Sequence, residues 1–185
     1  KKYDLDENQV RRYFALDSVR KGIFTMAERL YNIRFTEMPD APKYYPEVKV
    51  YDVTDAGTGE HIAVFMTDYF PRASKRQGAW MSEFKGSWIN DDGTADRPII
   101  FNVGNFSKPT ADAPSLLTLD EVETMFHEFG HGLHGMLSRA RYKCQSGTNV
   151  DRDFVELPSQ IHEHWAMDPE LLRIYAHDYQ TGEVI

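Results

Sequence analysis

Two histidines four residues apart, His127 and His131, enclose a carboxylate in the run His127-Glu128-Phe129-Gly130-His131. If that run is helical, four residues advance about 400° around the axis and about 6 Å along it. The two imidazoles then stand about 40° apart on one face, within reach of a single tetrahedral metal ion. Glu128 stands about 100° from His127 and about 60° from His131 on the same wheel. From there it flanks the ion and is better placed to hold a water than to be a third ligand. Removing a proton from such a water is the chemistry a hydrolase requires.

The flanking residues predict the helix. Thr118-Leu119-Asp120-Glu121 is a capping box, in which a Thr hydroxyl and a Glu carboxylate satisfy the free N–H groups of the first turn. Asp120, Glu121 and Glu123 lie at the start, and Arg139, Arg141 and Lys143 follow the end, as the helix dipole favours. Val122, Phe126, Phe129, Leu133, Met136 and Leu137 recur at helical spacing as an apolar stripe. Gly130 and Gly132 each weaken a helix by about 1 kcal/mol, so close packing of another helix, or approach of a substrate, must compensate. His134 lies about 10 Å along the axis from His127, too far to share its ion, and reads as a structural histidine. It stands where the metzincin pattern has glycine, and Leu137 stands at that pattern's third histidine.

A third ligand must come from elsewhere. Ser146-Gly147-Thr148-Asn149 reads as a loop, and Asp151 or Asp153 is suited to cap a following helix. That helix carries Glu156 early, with Val155, Leu157, Ile161 and Trp165 as its apolar surface. Pro158 falls either in its first turn or at a kink. Two antiparallel helices joined by such a loop set Glu156 opposite the histidine pair. Two histidines, one glutamate and an open water position make a catalytic zinc set rather than a closed structural one. Glu163, seven residues after Glu156, shares its face and is a candidate to accept a hydrogen bond from the outer N–H of a ligating histidine.

The run from Glu121 to Trp165 resembles the zinc-site helix pair of the thimet oligopeptidase and peptidyl-dipeptidase family. The resemblance rests on His127-Glu128-Phe129-Gly130-His131, Ser146-Gly147-Thr148, Arg152-Asp153-Phe154, Glu156, Pro158-Ser159-Gln160, Glu163 and Trp165. Upstream, Tyr69-Phe70-Pro71-Arg72, the run from Lys75 to Phe84, and Phe101-Asn102-Val103-Gly104-Asn105-Phe106 resemble the bacterial peptidyl-dipeptidase branch more than the animal enzymes. The resemblance implies one zinc ion per chain on His127, His131 and Glu156, with Glu128 as general base. It implies a zincin-like (gluzincin) catalytic core and short peptides as substrates. Family members are longer, and their later part holds a histidine and tyrosines that bind substrate. Tyr175 and Tyr179, read as helical, come too soon after the zinc site to be those tyrosines. Residues 1–185 are therefore expected to form a single domain, the central zinc-site segment of a longer peptidase whose remainder is its partner. The alternative is a non-catalytic zinc-binding fragment.

Bulk composition narrows the remaining classes. The chain has 21 basic and 29 acidic residues, a net charge of −8, and no basic run to track phosphates, so nucleic acid is not an expected partner. No apolar stretch approaches the roughly 18 residues of a membrane span, and no leader opens the chain. The single cysteine, Cys144, excludes an internal disulfide and fits a reducing compartment, so the expectation is a cytoplasmic protein.

Around the zinc helices the pattern is α+β: a small sheet with a hairpin. Helical periodicity covers 6–20 and 20–32, and 32–46 reads as extended or loop. Val48 to Val53, a turn at 55–59, and His61 to Phe70 read as a hairpin. Pro98 to Val103 is a third strand, Gly78 to Glu83 a short edge strand, and Asn90 to Asp96 a loop. An edge strand beside the metal would hold an extended peptide by strand addition. By resemblance, Gly78, Ala79 and Trp80 are the substrate-binding segment. Arg72, Lys75 and Arg76 are either solvated or placed to meet a peptide carboxylate.

Overall fold

A computed structural model describes residues 6–185. The reading of 1–185 as one unit therefore extends over five residues outside the described part. Two helices open the fold, α1 (Glu7–Arg11) and α2 (Leu16–Tyr31). Periodicity alone joins 6–20 into one helix, but the chain breaks after Arg11. Phe14 and Ala15 are buried there in extended backbone against the segment before the metal helix: Leu16 N donates to Ser115 O and Leu117 N to Phe14 O. Those long-range bonds outweigh local helical preference, and α2 starts four residues earlier than the expected boundary at Arg20.

A five-stranded sheet follows, in spatial order β1 (Ile33–Glu37), β2 (Lys49–Asp55), β3 (His61–Asp68), β7 (Ile99–Val103), β4 (Trp80–Lys85). Strand β1 lies inside the segment read as extended or loop. All neighbours are antiparallel except β3 and β7. Strands β5 (Trp88–Ile89) and β6 (Ala95–Asp96) form a separate small hairpin in which Asn90 N donates to Thr94 O, so the expected loop is a turn that ends in a short strand.

One face of the sheet carries α3 (Leu119–Met136), and α4 (Glu156–Ala166) and α5 (Pro169–Tyr175) complete the chain. The architecture is mixed α and β, as expected. Strand alternation divides the apolar residues between two faces. Phe65 and Ile100 join Val122, Phe126, Phe129 and Leu133 of α3 in the main core. Val48, Val50 and Met66 form a second, smaller cluster. Among the described residues, no helix is long and apolar enough to cross a membrane.

Helix α3 lies close on the sheet because its glycines let it. A Cβ on Gly135 would stand 2.8 Å from Ile100 Cδ1 and 3.0 Å from Met81 Cε. The sheet also reaches the helix backbone: Asn102 on β7, buried, donates its Nδ2–H to Glu128 O at 2.7 Å. Its Oδ1 has no partner among the described residues.

Candidate metal centre

Helix α3 starts where its capping box dictates. Thr118 Oγ1 accepts from Glu121 N at 3.1 Å, and Glu121 Oε2 accepts from Thr118 N at 2.8 Å. The apolar stripe is buried from Val122 to Met136, with Leu137 half-buried at its end, which turns His127 and His131 toward α4 and leaves their side chains 25% and 12% exposed. Gly130 faces α4 directly: a Cβ there would stand 2.7 Å from both Pro158 O and Ser159 Cα. The small residue beside His131 thus serves helix–helix packing.

The connection between the two helices is held from below. Ser146, buried in the loop, accepts from Ser87 N through its Oγ, and its carbonyl accepts from Asn149 Nδ2. Gly147 has φ +55, and a Cβ on it would fall 2.6 Å from Glu83 Oε1 and 3.1 Å from Gly135 Cα, so this turn under β4 favours glycine. Helix α4 then begins at Glu156 itself. Neither Asp151 nor Asp153 caps it. Val155 is the N-cap residue and makes no side-chain bond; instead Phe154 N and Val155 N donate to the Asp151 carbonyl. Pro158 sits in the first turn, where its missing N–H costs nothing.

The face that α4 turns inward differs from the expected one. Leu157 and Ile161 are each 48% exposed, whereas Ser159, His162 and Ala166 are buried. Small residues and one histidine make the close contact with Gly130; the large aliphatics point away. Tyr31, at the end of α2, anchors His162: its hydroxyl lies 3.1 Å from His162 Nε2, while Nδ1 lies against Pro158 O. A carbonyl only accepts, so Nδ1 carries the proton and Tyr31 donates to Nε2. Burial holds the His162 pKa below the ordinary value.

This packing brings three donor side chains together. Glu156 Oε2 lies 3.1 Å from His131 Nε2 and 3.3 Å from His127 Nε2, and the three atoms lie within 4.8 Å of one another. Zinc bonds of about 2.0–2.1 Å give a tetrahedron whose edges are about 3.3 Å, so the carboxylate already stands at ligand–ligand distance from both imidazoles. The group fits a small tetrahedral ion. His127 Nδ1 lies 2.6 Å from Glu163 Oε1, and since the carboxylate accepts, the proton is on Nδ1 and the Nε2 lone pair faces the other donors. His131 Nδ1 is buried without a partner among the described residues. Burial also lowers the pKa of His131, against the opposing pull of the Glu156 carboxylate.

Two carboxylates here have opposite environments. Burial pushes Glu128 above the usual carboxylate range and Glu156 adds to the rise, while His127 and the backbone N–H of Met81 oppose it. The Ser159 hydroxyl, followed by the two histidines, holds Glu156 below that range. Two neighbouring carboxylates pushed in opposite directions by their surroundings are the kind of pair that divides base and ligand roles in metal hydrolases. Met81 lies on β4, the edge of the sheet, so Glu128 faces that free edge.

A comparison with family models matches residues 1–185 to the description "Peptidase family M3". The chain belongs to peptidase family M3. Within that family it is 48% identical over 183 residues to a dipeptidyl carboxypeptidase of Escherichia coli, covering 98% of this chain and 26% of the relative. It is 42% identical over 171 residues to a thimet-like oligopeptidase of Dictyostelium discoideum, covering 92% of this chain and 25% of that protein. An oligopeptidase A of Salmonella typhimurium is 40% identical over 182 residues, covering 98% and 27%. The chain thus spans about a quarter of the length of these M3 relatives.

The other expected positions fall as follows. His134 stands apart from the three donors, with its Nδ1 buried and unpartnered among the described residues. Gly78, at φ +95, is exposed and precedes β4, and its carbonyl accepts from Asn105 Nδ2. Trp80 pairs with Val103, and its side chain lines a groove of about 580 Å³ with Tyr44, Phe84 and Phe101. Arg72 and Lys75 are not solvated: both grip the buried carboxylate of Asp68, at 2.8 and 3.0 Å, and only Arg76 is exposed. Tyr175 is buried in α5 and donates to Ala166 O, while Tyr179 lies in a turn rather than a helix. Three contributors were not singled out from sequence: Ser159, Asn102 and the Met81 backbone. The spacing of Ser159, three residues after Glu156 on one helix, carried a usable signal. Asn102 and Met81 required the strand order.

Proposed function

We propose that this M3 chain carries the zinc-dependent catalytic site of a peptidase that hydrolyses short peptides, as the names of its relatives suggest. The observation that carries the reading is the donor trio, with Glu156 Oε2 at 3.1 and 3.3 Å from the two imidazoles and Glu128 between it and the free edge of β4. His127, His131 and Glu156 would hold the ion. When bound, zinc supplies Lewis acidity to a carbonyl and brings the pKa of water toward neutrality. Glu128 accepts the proton of the attacking water and returns it to the leaving amine; its raised pKa suits both transfers. Glu163 fixes the tautomer of His127. An extended peptide binds along the edge that begins at Gly78, Ala79 and Trp80. Beside that segment the Met81 N–H is already held by Glu128, and Trp80 lines the groove with Tyr44, Phe84 and Phe101. The fold reading that accompanies this proposal is a gluzincin-type core.

The test is hydrolysis of an N-terminally blocked peptide by the zinc-loaded protein, with mass-spectrometric assignment of products. Turnover that a chelator abolishes and zinc restores supports the reading. Glu128→Gln should keep the metal and lose at least about a hundredfold in turnover. Zinc uptake with no cleavage of any peptide would reduce the chain to a zinc-binding segment. Turnover by Glu128→Gln within tenfold of the parent would remove Glu128 from the mechanism.

A further inference from the structure

The geometry points to Ser159 as a positioning residue that commits Glu156 to the metal through a single oxygen, Oε2. This inference rests on the zinc-site reading above and extends it. Ser159 is fully buried on α4, with its Cα pressed against Gly130, the residue before His131. Its Oγ lies 2.7 Å from Glu156 Oε2 and 3.0 Å from Glu156 O. A hydroxyl has one proton, and the shorter contact, to a charged acceptor, is the stronger bond. The oxygen that receives it is also the one 3.1 Å from His131 Nε2 and 3.3 Å from His127 Nε2.

One carboxylate oxygen therefore has both of its lone-pair directions assigned, one to the hydroxyl and one to the space between the imidazoles. Glu156 needs such a restraint. Its side chain is 49% exposed and sits at the first position of a helix that lacks a side-chain cap. Without the hydroxyl, the carboxylate is free to swing toward solvent or to present both oxygens to the ion. Ser159 is itself rigid, because the Gly130 contact leaves its backbone no room. The serine thus transmits the helix crossing to the ligand atom.

The test compares zinc affinity of the purified protein, by chelator competition, for the parent, Ser159→Ala and Glu156→Ala. Ser159→Ala should bind zinc about 10–100-fold more weakly, as loss of a group supporting a ligand does. Its metal-free form should unfold within about 2 °C of the parent, since no buried partner is left unpaired. Cobalt(II) provides a readout that packing alone does not move. The parent should show the intense visible bands of a four-coordinate tetrahedral ion, and Ser159→Ala the weaker bands of a higher-coordinate one. Zinc affinity within twofold of the parent together with an unchanged cobalt spectrum overturns the inference. So does an affinity loss accompanied by a comparable loss of metal-free stability. If Glu156→Ala itself leaves zinc affinity unchanged, the fault lies in the zinc-site reading, not in the role of Ser159.

Discussion

Replacing Gly130 with alanine tests whether the helix crossing sets the metal site. Alanine favours a helix over glycine by about 1 kcal/mol, so a solvent-facing Gly130 would gain stability from the change. Here the new Cβ would meet Pro158 O and Ser159 Cα at 2.7 Å, against an ordinary contact of 3.4 Å or more. Both neighbours are backbone, so α3 and α4 must separate by about 0.7 Å. Overpacking of this kind costs about 1–3 kcal/mol, which leaves a net loss of about 1 kcal/mol after the helical gain. In a chain of this length that is about 2–4 °C in thermal midpoint. The ligand set should suffer more than the fold, because Glu156 rides on α4 while both histidines ride on α3. A displacement of that size takes Oε2 off the edges now at 3.1 and 3.3 Å, and zinc affinity should fall at least tenfold. Gly132→Ala is the control: its nearest neighbour is a side-chain atom, Asn102 Oδ1, at 3.3 Å, and a small or favourable change is expected. Urea unfolding of the metal-free protein and chelator competition for zinc measure the two effects. A Gly130→Ala protein with an unchanged or higher midpoint and zinc affinity within twofold would refute the claim that this crossing holds the site.

Three further outcomes follow from the same contacts. Thr118→Ala removes half of the capping box and should cost about 1 kcal/mol of stability by urea titration, with zinc affinity little changed; no loss would mean that the box contributes nothing. Glu163→Gln weakens the bond that fixes the His127 tautomer, and zinc affinity should fall about tenfold; equal affinity would leave Glu163 a surface group. His162 is neutral in the fold and its pKa is depressed by burial, so the unfolded chain takes up the proton first as pH falls. Stability from this group is complete above the ordinary histidine value of 6.5 and is lost as pH falls below it, with His134 acting in the same sense. The metal-free urea midpoint should drop between pH 7.5 and 5.5, and less so in His162→Asn; a flat profile would contradict the assignment.

Helical period alone brought His127 and His131 to one face, and the capping box at Thr118 located the start of α3 correctly. The hairpin of β2 and β3, the strand at Ile99–Val103 and the edge strand β4 were legible from alternation and turn residues. The inward face of α4 was not. Its large apolar residues, Leu157 and Ile161, form a plausible stripe, but the space beside Gly130 admits only small ones. Hydrophobic periodicity weights size, whereas a close helix crossing selects for its absence. The break after α1 was hidden for a different reason: Phe14 and Ala15 are pulled into extended backbone by partners about a hundred residues away. The destination of Arg72 and Lys75 depended likewise on Asp68, the last residue of β3, being buried beside them. Local signals located most of the elements, though not β1, the β5–β6 hairpin or the break between α1 and α2; which faces meet depended on pairings that no window along the chain contains.

In the proposed site His127, His131 and Glu156 together hold one zinc ion. X-ray absorption at the zinc edge of the metal-loaded protein tests it most directly. One ion per chain is expected in a shell of two imidazole nitrogens and carboxylate or water oxygens, all at about 2.0–2.2 Å, with the carboxylate component lost in Glu156→Ala. A sulfur ligand at about 2.3 Å, which only Cys144 or a methionine could supply, or a shell unchanged by Glu156→Ala, would contradict it.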